Sequence, residues 1–307
     1  MPRIGMLSRI LVSALGVEGA FYGGVIAAGL WLVGAPLWLM AVLCAVLGLL
    51  LRLMLTVNMF RASERHAMKR KPEQQIGKRA ALRMFLAEYF YVLRLFAWLH
   101  PFEFLFTRRD AAAGGAGTVI LCVHGYTCNG GYWEGLRPVL AKAGYPRTYT
   151  INMDPTFGSI EDFAAQVAVR VKEIKAQTGV DRVVLIGHSM GGLVSRCYVQ
   201  RHGGAEHVSK IITLGSPHHG TVSAYKGPGE DARQMIPRNP WLESLNSESP
   251  VNVPITSIYT FHDNIVFPQD TAVLAHAKNI GLAGIGHLEL AFSKPVQELI
   301  IEELRGV

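Results

Sequence analysis

Charge is almost missing from the first part of this chain. Between Ile10 and Val33, and again between Leu37 and Asn58, only Glu18 and Arg52 are ionised. Each stretch is longer than the ~20 residues needed to cross a bilayer. The absence argues against an ordinary soluble enzyme, with buried helices of a soluble fold as the alternative. A cleavable signal peptide fits poorly, because the first apolar run is too long and a second follows at once. Cysteine is scarce too. Cys44, Cys122, Cys128 and Cys197 fall in an apolar run, a strand, a loop and a helix. Their spacing suggests neither a disulfide framework nor a zinc site. There is no internal repeat and no nucleic-acid recognition motif, so the net charge of +7 needs another explanation.

Ala35-Pro36 makes a tight turn between the apolar runs, and residues 1–60 read as a transmembrane hairpin with spans at 10–33 and 37–58. Glu18 and Arg52 lie at similar depths in such a hairpin. An intramembrane charge is costly unless paired, so the two are expected to face each other; the alternative is that Arg52 snorkels to the headgroups. Gly19 and Gly23, and Gly24 and Ala28, have the spacing that allows close helix contact. Arg61, Arg65, Lys69, Arg70, Lys71, Lys78, Arg79 and Arg83 follow the second run, whereas the turn between the runs has no Lys or Arg. By the positive-inside rule both ends are cytoplasmic, and a periplasmic domain is the alternative. The basic cluster accounts for most of the net charge and suits anionic lipid headgroups.

Residues 61–110 hold this cluster and a helical pattern from Arg79 to Trp98, with Leu82, Phe85, Leu86, Tyr89, Phe90, Leu93, Phe96 and Ala97 on one broad face. That face suits either the membrane interface or packing against a soluble domain. Residues 111–117 are small and read as a linker. From Thr118 strands and helices alternate: strands at Thr118–Val123, Arg147–Asn152, Arg182–Ile186, Lys210–Leu214, Ile255–Thr260 and Ala277–Leu282. Helical patterns lie near Trp133–Ala143, Ser159–Gln177, Met190–His202, Trp241–Asn246, Thr271–Ala275 and Ser293–Arg305. Such alternation implies an α/β fold, a mostly parallel sheet of six core strands flanked by helices over 118–307.

Gly187-His188-Ser189-Met190-Gly191 joins a short apolar strand to a helix. In that setting G-x-S-x-G is a nucleophile elbow, with glycines where strand and helix approach each other. The backbone N–H of Met190 would face a developing oxyanion. Chain order then asks for an acid and a later histidine. Asp263 follows the strand ending at Thr260, with Asp270 as the alternative. His287 lies past the last strand, and His124, His188, His218 and His219 all come before the acid. His262 adjoins Asp263, on the wrong loop for a base. The second oxyanion donor is expected at the backbone N–H of Tyr126, just after the first core strand.

Val123-His124-Gly125-Tyr126, Gly187-His188-Ser189-Met190-Gly191-Gly192 and Thr213-Leu214-Gly215-Ser216-Pro217-His218-His219-Gly220-Thr221 together resemble bacterial triacylglycerol lipases of the α/β-hydrolase superfamily. The segment from Ser257 to His287 is similar to the small lidless members. The resemblance implies Ser189 as nucleophile, Asp263 as acid, His287 as base, and Tyr126 and Met190 as oxyanion donors. It implies an acyl ester or lipid substrate, with no cofactor. Larger secreted relatives carry calcium beside the catalytic histidine; Glu289 could stand there, but no second carboxylate joins it, and no calcium is expected. The hairpin is foreign to the secreted lipases and places the chain in a bacterial inner membrane. Residues 222–250 form either a small cap over the site or a packed surface excursion. The sequence therefore reads as a membrane-anchored carboxylic ester hydrolase. An acyltransferase or thioesterase using the same residues, and a non-catalytic membrane adaptor, are the alternatives.

Overall fold

The computed structural model describes residues 4–107, 117–249 and 252–307. The linker expected at 111–117, apart from Gly117, lies outside them, as does Pro250 at the end of the 222–250 segment. Two helices open the chain, α1 (Met6–Val33) and α2 (Leu37–Arg65). Gly34 closes α1 in the left-handed region at φ 64°, and extended Pro36 starts α2. Both helices are long and apolar enough to cross a membrane. Glu18 and Arg52 do face each other, in a fork of two bonds at 2.6 and 2.7 Å, with the Tyr22 hydroxyl donating to Glu18 at 3.0 Å. The expected glycine contacts do not form, since a Cβ at Gly19, Gly23 or Gly24 would meet nothing within 4 Å. The charge pair sets the rotation of α1, and Gly48 and Gly29 take the close approaches instead, against Tyr22 and Met40.

α2 runs past Asn58 to Arg65, and its last turn buries Ser63. After it, α3 (Lys78–Arg94) passes into a π-helical turn at Leu95–Leu99 and a short α4 (Glu103–Phe106). The buried stripe of this segment is Met84, Glu88, Val92, Leu95 and Leu99. It differs from the face the sequence suggested, of which Leu82, Leu86 and Phe90 are exposed. The helix is apolar on both sides: one packs on the core and the other points outward.

The core is a sheet of β1 (Ile120–Val123), β2 (Thr148–Ile151), β3 (Val183–His188), β4 (Val208–Leu214), β5 (Ile255–Thr260) and β6 (Lys278–Leu282), in the order β2-β1-β3-β4-β5-β6. Every pairing is parallel. Five helices complete the order up to the last strand: α5 (Arg137–Lys142), α6 (Ile160–Thr178), α7 (Met190–Arg201), α8 (Glu230–Gln234) and α9 (Pro240–Ser247). The final helix is α10 (Lys294–Leu304). Alternate residues of β1 face opposite layers, as the period of two requires. Leu121 and Val123 pack with α6, α7 and α9, whereas Ile120 and Cys122 pack with α5, α10 and the stripe of α3. The segment after the hairpin is thus part of the core. Thr271–Ala275 is not a helix; Gln269–Ala272 forms a 3-10 turn beside the buried Ser257 of β5.

The chain steps outward from β1 to β2, then returns to β3 and continues the other way. The loops after β1 and β3 therefore diverge and leave a crevice at the carboxyl ends of the strands, where such sheets bind ligands.

Candidate active site

Ser189 sits in that crevice, between β3 and α7. Its φ of 54° puts a residue with a side chain in the left-handed region, a strain that persists only where the surroundings enforce it. The enforcement comes from contacts that admit only glycine. A Cβ on Gly191 would collide with the Val123 and His124 carbonyls, and one on Gly187 would lie 2.6 Å from the Gly191 carbonyl carbon. The tight elbow lifts Ser189 to the start of α7, where it remains 7% exposed.

Asp263 and His287 meet on the loops after β5 and β6. His287 Nδ1 is 2.8 Å from Asp263 Oδ2, and both side chains are buried. The other carboxylate oxygen, Oδ1, accepts the N–H groups of Ile265 at 2.9 Å and Val266 at 2.7 Å, which fixes the acid. Burial opposes the charged form of His287, but the charge and hydrogen bond of Asp263 outweigh it and raise its pKa above the usual 6.5. Asp270, the alternative acid, is exposed on the 3-10 turn.

The backbone N–H groups of Tyr126 and Met190 lie on the loop after β1 and at the start of α7. Neither has an acceptor among the described residues. Gly125 brings the two elements together; a Cβ there would lie 2.9 Å from that of Ser189. Beside the serine opens a cavity of about 360 Å³, walled mainly by Tyr126, Phe157, Ala224, Met235, Ile265 and Val266. Ala224 and Met235 come from the 222–250 segment, which thereby covers one side of the pocket.

The remaining histidines are spent locally. His124 Nε2 accepts the Met153 N–H at 3.1 Å, and His218 sits between Thr213 and Arg196. His188 stacks on Tyr132 at 4.0 Å, and burial drives its pKa far down. Burial, then the nearby Arg70 charge, lowers His262 to about 4.

Sequence reasoning missed Glu88. This fully buried carboxylate of α3 accepts the N–H groups of Leu288 at 2.9 Å and Glu289 at 3.1 Å, directly after His287. Burial raises its pKa to about 7, against the Leu288 N–H and the His287 charge, which lower it. The available signal was an acid on an apolar helical stripe.

The set does not suit calcium. Arg83 lies 3.0 Å from Glu289, so a cation already occupies that carboxylate. Glu161, Cys197 and His202 also cluster. There burial opposes ionisation, yet bonds from Trp241, Arg201, His202 and Cys197 hold Glu161 at about 2, and the arginine argues against a metal.

Residues 118–242 match the family model of the alpha/beta hydrolase fold. A triacylglycerol lipase of Pseudarthrobacter phenanthrenivorans is 35% identical over 95 residues, 30% of this chain and 29% of that protein. A triacylglycerol lipase of Burkholderia plantarii is also 35% identical over 95 residues, 30% of this chain and 26% of that protein. The chain thus spans less than a third of the length of these relatives. The mature Bacillus licheniformis lipase BlEst2 superposes with a TM-score of 0.56 at 18% identity, over 62% of this chain and 94% of that one. Residues 118–242 thus carry the alpha/beta hydrolase fold, and two long apolar helices open the chain.

Proposed function

We propose that this protein is a membrane-anchored serine hydrolase that cleaves carboxylic esters of lipids or other acyl compounds. The observation that carries this reading is a strained elbow serine lining an apolar pocket, in a fold that also pairs Asp263 with His287 on the loops after β5 and β6. In the reaction His287 Nε2 takes the Ser189 proton as Oγ attacks the ester carbonyl. The N–H groups of Tyr126 and Met190 receive the oxyanion. Collapse breaks the bond to the alcohol, which leaves with the proton held by His287, and the acyl group stays on Ser189. Water then attacks with His287 again as base, which releases the acid and restores the serine. Asp263 holds the ring and stabilises its charge throughout. The apolar pocket suits an acyl chain, and the hairpin would keep the site near lipid substrate.

The test is labelling of detergent-solubilised protein by a fluorophosphonate probe. Wild type should label and Ser189→Ala should not, with ester hydrolysis falling by about 10⁴-fold or more. A folded wild-type protein that neither labels nor hydrolyses p-nitrophenyl esters would overturn the reading.

A further inference from the structure

The loops bearing Asp263 and His287 are fastened to the chain between the hairpin and the hydrolase core. At the end of α2, the Ser63 hydroxyl donates to the Asp263 carbonyl and accepts from Gln269 Nε2 at 2.9 Å. Arg70 Nε donates to the Phe261 carbonyl at 2.6 Å. Arg83 donates to the Gly284 carbonyl and pairs with Glu289. Glu88 takes two successive N–H groups just past His287, and the N–H of His287 itself goes to Asn264 Oδ1 at 2.9 Å. Three consecutive amides of the base's loop are thereby fixed. Gly286 completes the fit, because a Cβ there would collide with the Glu88 carboxyl. Ser63, Arg70, Arg83 and Glu88 all precede residue 118, where the match to the hydrolase family begins.

We propose that residues 63–88 clamp the acid and base loops, with Glu88 as the positioning residue of His287, so that the catalytic unit includes the segment joining hairpin to core. This rests on the triad reading above. Glu88 does not touch the reacting atoms. It holds the backbone from which the imidazole projects, and an ångström of misplacement there costs on the order of 10²-fold in rate. Its charge also supports the imidazolium. The titratable groups around the pair are Asp263 after β5, His188 on β3, Tyr91 on α3, Tyr132 after β1, and Glu289 with its Arg83.

The experiment compares wild type, Glu88→Gln and Ser63→Ala as full-length proteins in detergent, after thermal melts establish folding. Readouts are kcat and KM on p-nitrophenyl butyrate, the fluorophosphonate labelling rate, and the pH profile of kcat/KM. Glu88→Gln should lower kcat about tenfold or more with little change in KM, and move the acidic limb to lower pH. A residue that only stabilised the fold would leave that limb in place. Ser63→Ala, which alters no charge, should lower kcat several-fold with the limb unmoved; it decides the matter if Glu88→Gln does not fold. Wild-type rates and an unmoved limb in the folded variants would overturn the clamp alone, whereas an unlabelled wild type would overturn the triad reading beneath it.

Discussion

A base can accept the serine proton only while its imidazole is neutral, and His287 holds a proton more tightly than a free histidine does. In the proposed reaction, kcat/KM should therefore fall as pH drops through a pKa above 6.5, the ordinary value. A profile with its acidic limb below that value would contradict the assigned pair. Asp263→Asn keeps the shape of the side chain but favours the wrong tautomer, and should reduce kcat by about 10⁴-fold with folding intact. The turn at Ser189 and the meeting of Asp263 with His287 were legible because motif context and chain order each constrain them. Glu88 was not, although the spacing of Met84, Glu88, Val92 and Leu95 puts an acid on a core stripe. Its partners are backbone N–H groups 200 residues away, and backbone donors leave no mark in a sequence.

At the scale of elements, the strands were readable from their periods, with ends shifted by a residue or two, whereas helix ends drifted further, as where α2 runs on from Asn58 to Arg65. The orientation of α3 was not readable, because a helix apolar on both sides offers two faces and only packing selects one. The hairpin glycines failed for a related reason. Spacing allows a close approach, but the Glu18–Arg52 fork, worth more than a van der Waals contact in a low-dielectric setting, sets the helix rotation. Replacing either partner with Ala strands the other and should cost about 3 kcal/mol, seen as a lower melting temperature in detergent. The exchanged pair, Glu18→Arg with Arg52→Glu, should recover most of that loss; a double variant no better than the singles would argue against the pairing. In the elbow, Gly191→Ala drives a methyl into the Val123 carbonyl. It should destabilise the fold by about 3 kcal/mol and abolish labelling, because neither backbone can yield.

For the molecule as a whole, we propose that the hydrolase domain is cytoplasmic, since Lys and Arg follow the second apolar run and none lies in the turn between the two helices. Ala35→Cys, in the turn between the two helices, should react with an impermeant maleimide on intact spheroplasts. Gly306→Cys should react only after permeabilisation, and the opposite pattern would place the domain in the periplasm. The four native cysteines are buried and leave the background low.

The clamp also has a bearing on how the protein is made. Ser63 and Glu88 find their partners 200 residues downstream. Synthesis delivers the apolar helices first, the elbow serine next, and the acid and base last. Such distant pairings close slowly and late. While the chain is still on the ribosome, the serine is an ordinary alcohol without its base, and the buried acid of α3 has no amides to receive. On the proposed reading, activity therefore arises only once the segment bearing His287 has been made, and a product truncated before it should lack esterase activity.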